Sequence, residues 1–75
     1  MTIPLLELVA MTEDLPILKL SRGQIGTVVE YLERDGDQAL LVEFSDERGR
    51  TYAMVPLRRE QLLVLHRTTS TVPDR

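Results

Sequence analysis

The sequence predicts an all-β fold, a small barrel of five short strands, and three observations lead there. The chain is 75 residues long and 43% apolar, enough for one small domain. Its apolar residues gather into runs of strand length, and Gly, Asp and Pro stand between those runs in turn-forming order. A flat sheet of such strands would leave one apolar face bare, so the sheet is expected to curl on itself.

Leu5 to Met11 reads as the first strand, closed by Thr12, Glu13, Asp14 and Pro16. If Glu7 points to water, alternation turns Leu6, Leu8 and Ala10 inward and leaves Leu5, Val9 and Met11 on the wet face. Thr12 to Gln24 reads as a long ordered loop, punctuated by Pro16, Ser21 and Gly23 and anchored by Leu15, Ile17, Leu18 and Leu20. Gly23 and Gly26, just ahead of a β-branched run, predict a tight turn with positive φ and then a strand start where another backbone passes close. The second strand is expected over Ile25 to Arg34.

Asp35-Gly36-Asp37 is a hairpin signal, Asp-Gly between two apolar runs. In the third strand, Ala39 to Ser45, alternation puts Leu40, Val42 and Phe44 inward and Leu41, Glu43 and Ser45 outward. Asp46 to Arg50, with Gly49, is the second polar turn. It leads to a fourth strand, Thr51 to Val55, which Pro56 is expected to end because proline cannot donate to a ladder. Leu57 to Gln61 predicts one 3₁₀ turn, and Leu62 to His66 the last strand. The domain is thus expected over residues 1–67, with a flexible C-terminal tail over 68–75.

Five strands, a long first loop, two tight hairpins and a helical turn before the last strand form an order that resembles a Src-homology-3-like barrel. Specific stretches extend the likeness. Val9-Ala10-Met11-Thr12-Glu13-Asp14-Leu15-Pro16, Gly23-Gln24-Ile25-Gly26-Thr27-Val28-Val29 and Val42-Glu43-Phe44 resemble a family of small bacterial proteins with that fold and no established function. Met54-Val55-Pro56-Leu57 and Gln61-Leu62 are similar to it as well, so the resemblance covers most of residues 9 to 62. It implies the barrel and, through toxin-like neighbouring genes, an antitoxin-like partner role. The apolar pair Ile17-Leu18 departs from the polar residues the family carries after Pro16.

Composition narrows the function classes. The chain has no cysteine, hence neither disulfide nor thiolate metal site, and a formal charge of −3. The N-terminal run lacks a basic flank and contains Glu7, unlike a signal peptide, and no apolar stretch reaches the ~18 residues of a membrane span, so a cytoplasmic protein with no membrane partner is expected.

A metal site would have to combine His66 with Asp35, Asp37 or Asp46, which lack ligand spacing, so none is expected. The acid pairs Glu13-Asp14 and Asp46-Glu47 fall in turns, and the hydroxyls of Thr68 to Thr71 have no base beside them. No catalytic residue, enzyme activity or cofactor is therefore expected.

Nucleic-acid binding has Lys19, Arg22, Arg58 and Arg59 as its candidate contacts, but residues 19–34 carry +1, 35–50 carry −3 and 51–75 carry +2, so no segment is strongly basic. The favoured expectation is a protein-protein interaction module that binds a second copy or the product of a neighbouring gene. Its candidate surface is the apolar surplus of the first and last strands, Leu5, Val9, Met11, Leu63 and Leu65. RNA or DNA contact through the four cations is the alternative.

Overall fold

The structure, a computed structural model, describes residues 3–65. The expected tail over 68–75 and His66 lie outside the described residues. Five strands form: β1 (Leu8–Met11), β2 (Ile25–Arg34), β3 (Asp37–Ser45), β4 (Thr51–Leu57) and β5 (Leu62–Val64). Two 3₁₀ turns accompany them, Pro16–Leu18 in the first loop and Arg59–Gln61 before β5.

All pairings are antiparallel, and the strand order across the sheet is β4-β3-β2-β1-β5. The fold is thus all-β, with the connectivity expected of a Src-homology-3-like barrel. Each edge of the sheet is one of the strands that closure would join, so the barrel stays open between β4 and β5.

The curl follows from the core. Its buried cluster takes Val9 and Met11 from β1, Val28 from β2, Leu40, Val42 and Phe44 from β3, Leu57 from β4 and Leu62 from β5, with Ile3 and Leu20 completing it. Every strand contributes to one interior, which a flat sheet cannot provide. A bulge between Val28 and Glu30 bends β2 against β3. Gly26 faces the same interior, so close to β3 that an added Cβ would lie 2.9 Å from the Glu43 carbonyl oxygen.

The hairpins obey local turn chemistry. Asp35 and Gly36 take φ of 51° and 87°, the two positive values that suit the right-handed twist of the flanking strands. In the β3–β4 turn Asp46 Oδ1 accepts the N–H groups of Arg48 and Arg50, each at 2.9 Å. Asp46→Ala is expected to lower stability by about 1 kcal/mol through these two lost acceptor contacts. In a thermal melt the midpoint should fall by about 4–8 °C. An unchanged midpoint would show that the turn holds without its side-chain acceptor.

Three local expectations are corrected. The first strand starts at Leu8, because Leu5 and Leu6 form a turn in which Leu6 has φ 67° and gives its N–H to the Val28 carbonyl at 2.6 Å. Ile17 and Leu18 are no anchors: the 3₁₀ turn leaves them 95% and 44% exposed, and Leu15 and Leu20, joined by a two-residue bridge, hold the loop instead. Pro56 does not end β4, which continues to Leu57, since β4 is an edge strand where a missing donor is tolerated.

Candidate interaction surface

β1 lies between β2 and β5, and its register fixes which side chains share a face. Val9 and Met11 are buried in the core, so Leu8 and Ala10 stand on the opposite, convex face. Ala10 pairs with Ile25 on one side and Leu63 on the other. Leu8 pairs with Thr27, and its carbonyl accepts the N–H of Leu65 at 2.9 Å. Two adjoining cross-strand rows result, Ile25–Ala10–Leu63 and Thr27–Leu8–Leu65.

The six residues carry no charge, and five are apolar. Ile25 is 54% and Leu63 58% exposed, whereas Ala10 is only 9% exposed. Leu8, Thr27 and Leu65 are half-buried. In the first row Ile25 and Leu63 stand above the small Ala10, and in the second row Leu8 occupies the middle position. Polar groups border it at Glu43, which pairs with Thr27 and accepts the Thr51 hydroxyl.

Of the residues expected on a partner surface, Leu63 and the half-buried Leu65 lie on this face, and Leu5 is exposed in the turn before β1. Val9 and Met11 do not belong: both are in the core, because Glu7 lies before β1 and its charge does not fix which face of the strand meets water. Glu7 is half-buried, and its carbonyl is used by the Val28 N–H. Leu8, Ala10 and Ile25 were missed. Gly26 carried the signal, since a glycine needed for close approach marks the crowded face and assigns its neighbour Ile25 to the other.

The four candidate cations sit in two places, with acids among them. Lys19 and Arg22 are exposed in the first loop, where the Arg22 N–H is bound by Asp14 Oδ1 at 2.8 Å. Arg58 and Arg59 begin the second 3₁₀ turn. Glu13 reaches that turn through a 2.9 Å hydrogen bond from Gln61 Nε2, and Arg59 donates through Nη1 to the Leu62 carbonyl at 3.0 Å. Negative charge therefore enters both places where positive charge would have to accumulate.

A groove of about 400 Å³ runs along the concave side of the β2–β3 hairpin beyond the bulge. Tyr31, Glu33, Gln38 and Leu40 form its floor, Ile3 and Arg59 its sides. The Tyr31 hydroxyl donates to the Ile3 carbonyl at 2.7 Å, tying the N-terminal segment to the hairpin. With one carboxylate and no nucleophile-base pair among these residues, the groove offers shape but no evident reaction chemistry. Among the described residues no group of three or more His, Cys, Asp or Glu could hold a metal ion, and no helix is long and apolar enough to cross a membrane.

A family model described as a domain of unknown function (DUF4926) matches residues 5–64. Neither a curated protein nor a solved structure matches the chain.

Proposed function

The chain belongs to the DUF4926 family, whose model spans nearly all of the described fold, and we propose that it is a non-catalytic protein-protein interaction module acting through the convex face of β2, β1 and β5. One observation carries the reading: the uncharged rows Ile25–Ala10–Leu63 and Thr27–Leu8–Leu65, with Ile25 and Leu63 more than half exposed. A small domain has few apolar side chains to spare, and two large ones held in register on a strand face are a cost unless something covers them. The partner is a second copy or a neighbouring gene product in the bacterial cytoplasm, as the composition and the family likeness suggest.

A photo-crosslinking side chain at position 63, in cells that make the protein, tests this. It is expected to yield a covalent protein adduct, while the same group at Arg34, exposed at the far end of β2, is expected to yield none. Absence of an adduct at position 63 would overturn the proposal.

A further inference from the structure

We infer that Pro56 and Arg59 keep the open seam between β4 and β5 from taking up further strands, by withdrawing backbone groups through which another chain would pair. The inference concerns the two edges of the sheet and does not rest on the convex face. An edge strand presents a row of free N–H and C=O groups, a template for any extended chain. Which groups are free here follows from the hydrogen bonds made on the other side of each strand.

At β5, the Leu65 N–H donates to the Leu8 carbonyl at 2.9 Å and the Gln61 carbonyl accepts the Thr12 N–H at 3.0 Å. Alternate positions therefore face β1, and Leu62 and Val64 turn their backbone groups to the seam. Arg59 takes both groups of Leu62: its carbonyl accepts the Leu62 N–H, and its Nη1 donates to the Leu62 carbonyl at 3.0 Å. Among the described residues of β5, only Val64 keeps an open pair.

At β4 the alternation is set from Val28, which bonds Leu6 and Glu7 on the β1 side. Thr27 then faces β3 with Glu43 opposite it, so Val42 and Phe44 face β4, opposite Val55 and Ala53. Tyr52, Met54 and Pro56 are left facing the seam. Pro56 has no N–H, and its ring fills the place from which one would be offered. The break adjoins Met54 and Tyr52, whose side chains are 51% and 52% exposed and would favour an added strand.

Sedimentation of the purified full chain beside its Pro56→Thr variant tests the inference, with a native melt confirmed for each. Threonine restores the donor in a residue that suits a strand, without adding apolar surface. The association constant is expected to rise at least about fivefold over the parent, the effect of one added hydrogen bond. Hydrogen exchange should show the Tyr52 and Met54 amides newly protected in the associated form. Pro56→Val takes the place of the threonine variant should that one not fold, and adding Arg59→Ala is expected to raise association further.

Folded variants at position 56 that associate no more than the parent would overturn the inference, and so would association that leaves the Tyr52 and Met54 amides unprotected. No further gain from Arg59→Ala would overturn the part assigned to Arg59. Every reading is taken relative to the parent, so the adduct at position 63, formed or not, bears only on the convex face.

Discussion

Gly26→Ala is expected to remove a large part of the stability of the fold. A Cβ at this position would lie 2.6 Å from Val42 Cγ1, 2.9 Å from Phe44 Cε1 and 2.9 Å from the Glu43 carbonyl oxygen. The first two contacts are side-chain atoms, but both side chains are fully buried and have little space to turn. The third is backbone in the centre of the sheet, so relief requires β2 and β3 to move apart where they are paired. The expected loss is about 3 kcal/mol, at the upper end of overpacking effects. A domain of this length has only about 4–11 kcal/mol in total, and a small core places it toward the lower figure.

Denaturant unfolding measures the loss directly. Gly36→Ala is the matched control: its Cβ would meet nothing within 4 Å, although its φ of 87° makes a side chain strained. About 1 kcal/mol is expected there. Equal losses at the two glycines would show that backbone conformation, and not crowding against β3, sets the requirement at position 26.

Phe44→Ala is expected to cost about 3–5 kcal/mol. Phe44 is fully buried, the largest side chain of the core and the one aromatic ring within it. It faces Gly26 from β3, and its ring centroid lies 6.4 Å from that of Tyr52 on β4. Truncation would leave a cavity bounded by strands that cannot collapse without breaking register. Chemical unfolding should place this variant near Gly26→Ala.

The pair should also be non-additive. Alanine at 44 removes the ring that a Cβ at 26 would strike, yet the Glu43 carbonyl remains, so the double variant should lose less than the sum without recovering the parent stability. Full additivity would mean that the ring and the glycine do not share one space.

Where the chain's signals are local, structure and expectation coincide. β2 spans Ile25 to Arg34 as its turn signals require, and β3 buries Leu40, Val42 and Phe44 in strict alternation. Asp35-Gly36 and Asp46 to Gly49 act through φ preferences and side-chain acceptors within a few residues, so their neighbours suffice to identify them.

The expectations that failed depended on distant partners. Leu6 takes φ 67° because its N–H reaches Val28, and no pattern within Leu5 to Met11 discloses that contact. The pairing of β1 with β2 and β5 takes Val9 and Met11 into the core and leaves Leu8 and Ala10 on the opposite face. Ile3, which carries no pattern of its own, is buried at 2% and held by the hydroxyl of Tyr31. Pro56 is tolerated because β4 has no neighbour on its outer side, a property of the assembled sheet.

The sequence alone thus settled that the fold is all-β, where its hairpins turn, which face of β3 is buried and that Gly26 must pass close to another strand. Each follows from dihedral preference or two-residue alternation, which act over a few bonds. The apolar surplus in the first and last strands was also evident in the residues. Which of those side chains reach the surface was decided only when β1 settled between β2 and β5, since a strand's face depends on its register with chain many residues away. Tertiary structure moved the candidate surface from Val9 and Met11 to the row of Ile25, Ala10 and Leu63, because the interior closed around the first pair and left the second outside.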